Sequence, residues 1–122
     1  MPAKDLYIFE INNSEDNTIN AHITFNINNS IYKGHFPQMP ITPGVCQVHI
    51  IKAVLNKVLN KQFQLFESRE IKFLAMHKPI ENNKMEMTLT YSNIDDNIIL
   101  VSCSLFNNNT IYLKFNGKFK SI

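Results

Sequence analysis

One stretch of this sequence carries helical periodicity, and stretches of period two stand on both sides of it. From Pro43 onward, Val45, Val48, Ile51, Val54, Leu55, Val58 and Leu59 recur at steps of three and four residues. Residues so spaced share one face of an α-helix. Lys52, Asn56 and Asn60 make the opposing polar stripe. Pro43 suits the first turn, where a missing N–H costs nothing. The spacing predicts a helix from Pro43 to about Lys61, about 18 residues and roughly 27 Å at 1.5 Å per residue. A single amphipathic helix of that length must lay its apolar face on strands, because the rest of the chain offers nothing else.

Those strands are legible on both sides. Leu6–Ile11 is a short β-prone run that stops at Asn12-Asn13. Thr18–Ile27 alternates strictly, with Ile19, Ala21, Ile23, Phe25 and Ile27 on one face, and Asn12–Asn17 suits a hairpin connection between the two runs. After the helix come Glu70–Met76, Met85–Tyr91, Ile98–Phe106 and Thr110–Phe119. Met85, Met87, Leu89 and Tyr91 share one face, as do Ile111, Leu113 and Phe115. Asn82-Asn83 and Asn107-Asn108-Asn109 read as turns, since asparagine tolerates the left-handed conformation and closes turns on its own backbone. The order β–β–loop–α–β–β–β–β predicts an α+β fold in which an antiparallel sheet of about six strands wraps one long central helix. A chain of 122 residues suits one domain, 1–122.

Composition excludes several function classes. No apolar run approaches the roughly 18 residues of a membrane span, and Met1-Pro2-Ala3-Lys4-Asp5 lacks the apolar core of a signal peptide. Cytoplasmic residence is therefore the expectation. A formal charge of +2 without a basic run gives no reason to expect nucleic acid. Lysines spread from Lys33 to Lys120 read as a solvated face, with docking of an acidic carrier protein as the sharper alternative. The two cysteines, Cys46 and Cys103, have no metal-site or redox-motif spacing and are expected to stay reduced. Cys46, just inside the helix start, is read as a small buried hydrophobe, the alternative being a thiol of lowered pKa.

Residues 28–43 hold Gly34, Pro37, Pro40 and Pro43, too many breakers for a helix or a central strand. A loop stiffened in this way can position a reactive group. His35 is the candidate, because imidazole titrates near neutrality and can remove or return a proton. At the helix start, backbone N–H groups point outward with the dipole behind them, and Gly44 admits close approach by an anion. Plainer readings stand beside these. A loop histidine is commonly an ordinary polar residue, Gly44 could serve tight helix–sheet packing, and Phe36 reads as core.

The stretch Gly34-His35-Phe36-Pro37-Gln38-Met39-Pro40-Ile41-Thr42-Pro43-Gly44-Val45 resembles the signature of the FabZ/FabA-type dehydratases, G-H-F-P-G-x-P-x-x-P-G-V ahead of a central helix. The order of elements is also that family's, and Ile71-Lys72-Phe73 through Pro79 is similar to its third strand, so the resemblance covers most of the chain. It implies a hotdog fold and dehydration of a 3-hydroxyacyl carrier-protein thioester to the trans-2-enoyl product, in a fatty-acyl or polyene-type pathway. His35 would be the base, and the Gly44 amide, with Val45 beside it, would hold the thioester oxygen. The acyl chain would lie in a tunnel beside the helix. No cofactor or metal is implied beyond the phosphopantetheine arm that the substrate carries. The family builds its site from two protomers, so the expected partners are acyl carrier protein and a second copy, as a homodimer or a trimer of dimers.

Two positions depart from the pattern. Gln38 replaces a glycine and would be strained if that position needs positive φ. More consequential is His49, 14 residues after His35, where the family carries an acidic residue; residues 44–66 contain no Asp or Glu at all. Three roles fit His49. It can be the acid that protonates the leaving hydroxyl. It can mark a non-catalytic subunit that binds acyl carrier protein or a sister dehydratase. Or it can sit on the polar stripe with Lys52 and Asn56. An acyl thioesterase on the same fold is a further alternative. His35 and His49 lack a third ligand for a metal.

Overall fold

The computed structural model describes residues 5–33 and 39–122. In chain order it has β1 (Tyr7–Glu15), β2 (Thr18–Phe25), a 3-10 turn (Ser30–Tyr32), α1 (Gly44–Leu59), β3 (Phe63–Phe73), β4 (Lys84–Asn93), β5 (Ile98–Asn107) and β6 (Thr110–Ser121). The six strands form one antiparallel sheet in the order β1-β2-β4-β5-β6-β3. This is the hotdog arrangement, α+β with one long helix against the sheet. No helix among the described residues is long and apolar enough to cross a membrane.

The alternation in β2 works as its sequence predicts. Ile19, Ala21, Ile23 and Phe25 are all buried, and they join Met85, Met87 and Leu89 of β4, Val101 and Leu105 of β5 and Leu113 and Phe115 of β6. Ile50, Ile51, Val54 and Leu55 of α1 are fully buried in the same cluster. Side chains of this kind each contribute roughly 1.5–3 kcal/mol on leaving water, which is what holds helix to sheet.

Several boundaries differ from expectation for identifiable reasons. The helix ends at Leu59 because Asn60 takes the left-handed conformation, φ 52° and ψ 45°. Asn56 then accepts from the Phe63 N–H at 2.8 Å and fastens the start of β3. β1 passes through Asn12-Asn13 with a bulge, so the hairpin is tightened to Asp16-Asn17, both at positive φ. β3 begins seven residues before the predicted Glu70, at Phe63, and stops at Phe73. Its polar run Gln64–Glu70 hid the strand, because only Phe63 is buried and two bulges interrupt the alternation. Val45, expected on the buried helical face, is 66 % exposed. The face toward the sheet at that end is formed by Cys46, Gln47 and Ile50. Ile27 likewise lies past the end of β2 and is exposed.

Candidate active site

Helix α1 starts without a side-chain cap: Pro43 occupies the cap position and no acidic residue stands in the first turn. The Cys46 and Gln47 N–H groups bond back to the Pro43 carbonyl at 3.1 and 3.3 Å. Those of Gly44 and Val45 precede the first carbonyl the helix offers, so no carbonyl within the helix takes them. The Phe73 ring lies over Gly44 so closely that a Cβ there would sit 2.5 Å from its Cζ. The glycine thus makes room for the Phe73 ring against the helix start, as the packing reading of Gly44 expects. Val45 projects outward as an exposed apolar side chain beside it.

A buried polar chain fixes the segment that leads into this helix. His77, fully buried, places Nε2 at 2.8 Å from the Asn82 carbonyl oxygen, which can only accept, so Nε2 carries the hydrogen. Its Nδ1 then accepts from the Thr42 hydroxyl at 2.7 Å, and Thr42 Oγ1 accepts from Tyr32 at 2.9 Å. The Thr42 N–H donates to the His77 carbonyl at 2.9 Å, and Gln47 Nε2 donates to the Thr42 carbonyl at 3.3 Å. Phe25 and Tyr112 enclose the imidazole, with ring centroids at 4.7 and 5.1 Å. Burial lowers the pKa of His77, against the opposing pull of the Asn82 carbonyl, so the ring is held neutral. Hydrogen bonds thus tie Thr42 through its N–H, its carbonyl and its hydroxyl, two residues ahead of Gly44.

His49 sits on the second turn of α1, half-buried, with Nδ1 3.3 Å from the Tyr7 hydroxyl of β1. Burial pushes the Tyr7 hydroxyl up to about 12, helped by Cys46, so it stays protonated and can either donate to the ring nitrogen or accept from it. Burial, then the positive charge of Lys52, lowers the His49 pKa. The ring is therefore neutral near pH 7, and among the described residues its Nε2 has no partner. His49, Lys52 and Asn56 are all half-buried, as the polar stripe expects, and Tyr7 of β1 adds a partner for the ring that the stripe alone does not supply. Cys46 is fully buried and burial raises its pKa, so it is the inert hydrophobe and not an activated thiol. Cys103 is also buried, and both cysteines are free.

The other half of the predicted site, Gly34 through Gln38 with His35, lies outside the described residues. Tyr7, Thr42, Gln47 and His77 were not singled out by the sequence. Tyr7 and His49 are 42 positions apart and Thr42 and His77 are 35 apart, so no local pattern could have joined them. A hollow of about 480 Å³ on the outer face of β1, β2 and β4 is lined by Ile8, His22, Lys84 and Glu86. It faces away from the helix, because the core side of β2 is taken by Ile19, Ala21, Ile23 and Phe25.

Residues 11–111 match the ApeI-like family, described as ApeI dehydratase. The chain belongs to the ApeI-like dehydratase family. Comparison with curated proteins gives no match. Among solved structures it is similar to the dehydratase heterocomplex ApeI:P of Xenorhabdus doucetiae, with 15 % identity, TM-score 0.72 and coverage of 96 % of this chain and 98 % of that one. A hypothetical thioesterase of Streptococcus pneumoniae, solved with coenzyme A, is similar at 11 % identity and TM-score 0.69, over 94 % and 86 % of the two chains. A thioesterase of Haemophilus influenzae follows at 13 % identity and TM-score 0.65, over 93 % and 78 %. At such identities these likenesses establish the hotdog fold and nothing finer.

Proposed function

We propose that this ApeI-like chain dehydrates a 3-hydroxyacyl thioester carried on an acyl carrier protein, yielding the trans-2-enoyl thioester and water. The observation that carries the reading is the His49 ring, held by Tyr7 on the turn next to an uncapped helix start, with Nε2 left open. In this reading the Gly44 N–H, beside Val45, receives the negative charge that grows on the thioester oxygen. His35 takes the proton from C2, the C2–C3 double bond forms, and the C3–O bond breaks. The departing hydroxyl takes its proton from the imidazolium form of His49 and leaves as water. A tyrosine hydroxyl can accept as well as donate, so Tyr7 can turn to receive the Nδ1 hydrogen when His49 is charged.

The substrate's phosphopantetheine arm is the only prosthetic group the chemistry calls for. The kinship in residues 34–45 to the FabZ/FabA-type enzymes supports a site shared between protomers, with His35 from one and His49 from its neighbour. A homodimer, or a trimer of such dimers, would meet that need. Work in a fatty-acyl or polyene-type pathway in the cytoplasm completes the proposal.

Following enoyl absorbance while the protein acts on a 3-hydroxyacyl-pantetheine thioester tests it. Enoyl product, lost in His35→Ala, is the expected result. Release of free thiol without enoyl product would replace this reading with a thioesterase. Neither product, with the thioester still bound, would make the chain a non-catalytic subunit. The Streptococcus pneumoniae neighbour gives the thioesterase its hearing, through fold alone.

A further inference from the structure

Among the described residues the buried polar side chains are Asn29, Thr42, Gln47 and His77. Thr42 and His77 bond to each other, and Asn29 accepts from the Ile31 N–H. Gln47, 2 % exposed on the first turn of α1, is different. Its carboxamide oxygen Oε1 is the one buried side-chain polar atom among the described residues that has no partner. Leaving a buried acceptor unpaired destabilises a fold, and such an atom commonly answers to a function or to a group that arrives later.

The orientation of that carboxamide is fixed. Its Nε2 donates to the Thr42 carbonyl at 3.3 Å, and turning the group over would set Oε1 against the same carbonyl, two acceptors with no hydrogen between them. Thr42 cannot give way, because His77 takes both its N–H and its hydroxyl. Packing alone does not call for a glutamine here: Ile50, Ile51 and Val54 are fully buried further along the same helix, and an apolar residue would leave no acceptor unpaired. Gln47 also stands three residues after Gly44, and residues so spaced share one side of a helix. In the reaction proposed above, the Gly44 N–H faces the thioester oxygen, so Gln47 lies one turn along the side on which the acyl group would rest.

We infer that Gln47 Oε1 accepts the hydrogen of the substrate's 3-hydroxyl and selects 3-hydroxyacyl chains over acyl chains that lack this group. The inference rests on the dehydration reading and adds to it a residue that the proton transfers do not use. A hydroxyl that receives a proton from His49 on a lone pair must point its own hydrogen elsewhere, toward an acceptor. A carboxamide oxygen suits that place, because it accepts without being protonated near neutral pH and so does not compete with His35 for the C2 proton. His49 gives its proton to the hydroxyl oxygen, and the C3–O bond breaks with its electron pair passing to that oxygen. The water that leaves carries the hydrogen held by Gln47 and the one from His49, while Gln47 neither gains nor loses a proton. The enoyl product has no such donor, so the hold is released once dehydration is complete. Oε1 is already shut off from water, so the protein loses no hydration in making the bond. A site built to bond a hydroxyl discriminates strongly against a ligand without one, since the buried acceptor then stays unpaired.

The test is calorimetric binding of unreactive analogues to the full chain, which reads selection apart from turnover. The probes are 3-hydroxybutanoyl- and 3-hydroxyoctanoyl-pantetheine with an amide in place of the thioester, each beside its counterpart without the 3-hydroxyl. Wild type should bind at least one hydroxy analogue about tenfold or more tightly than its counterpart. Gln47→Met keeps the length and nearly the volume of the side chain but not the strong acceptor. It should lose the preference by weakening the hydroxy analogue alone, with a melting temperature close to that of wild type. Gln47→Leu, which also lacks the acceptor, takes its place if the methionine variant does not fold. Equal binding of both members of each pair by wild type overturns the inference and leaves the dehydration reading standing. A preference that survives in Gln47→Met overturns it too. Binding of none of the analogues by wild type removes the acyl-thioester reading, and the inference falls with it.

Discussion

Two histidines divide the work of this molecule. His77 has both ring nitrogens engaged, one by Thr42 and one by the Asn82 carbonyl, and is sealed between Phe25 and Tyr112. Among the described residues His49 has one nitrogen engaged, by Tyr7, and the other has no partner. Both rings are neutral near pH 7 for the same leading cause, burial. They differ in what a second proton would disturb. On His77 it would set an N–H against the Thr42 hydroxyl hydrogen and strain a chain that reaches Tyr32. On His49 it would put a second N–H on a ring that, among the described residues, has Tyr7 alone as a partner. A histidine with no free valence holds structure, and one with a free valence is available for chemistry.

The sharpest way to break this division is to remove the structural ring. His77→Ala should cost about 2–4 kcal/mol, combining a cavity among packed rings with a Thr42 hydroxyl left without its acceptor. Chemical denaturation would measure it, and a loss below about 1 kcal/mol, the scale of a single hydrogen bond, would put His77 outside the framework.

Acid sharpens the same contrast. Because the folded pKa of each ring lies below its unfolded value near 6.5, the unfolded chain binds more protons in that interval. Stability is therefore full above about pH 6.5 and falls as pH drops toward the lowered folded values, by at most about 1.4 kcal/mol per pH unit for each ring. Denaturation midpoints between pH 7 and 5 should slope downward in wild type and more gently in His77→Ala. Equal slopes would assign the effect to other groups.

A smaller effect is expected at the helix start. In Gly44→Ala the new methyl would displace the Phe73 ring, which is the exposed end of a flexible side chain and can swing aside. We expect a stability change under about 1 kcal/mol, with a larger loss of dehydration as approach to the Gly44 N–H is crowded. Smaller still is Lys52→Gln. Removing that positive charge should raise the His49 pKa, seen as an upward shift of its ring titration by NMR with His77 unmoved.

The sequence revealed most of this fold where a strand is buried on one face only. β2 and β4 alternate without interruption, and every residue assigned inward from Ile19 to Phe25 and from Met85 to Leu89 is buried. The first part of β3, Phe63 to Arg69, escaped because alternation tracks burial, and in the single chain β3 buries almost nothing. At the candidate site, Gly44 and His49 drew attention because the first closes a spaced motif at the helix start and the second stands 14 residues after His35. Tyr7 and His77 were not, since their roles come from contacts across the sheet between distant parts of the chain. His35, the most legible residue of all, lies outside the described residues, and its part remains the proposal stated above.

The division between the two rings is tested most directly by the rate of enoyl formation in His49→Ala, measured beside wild type across pH 5–8 with the melting temperature of each protein. The account predicts that the wild-type rate rises as pH falls toward the lowered His49 pKa. It predicts a loss of about 100-fold or more in the variant, within the range of general acid catalysis, at an unchanged melting temperature. A His49→Ala protein that dehydrates the thioester at the wild-type rate would contradict it.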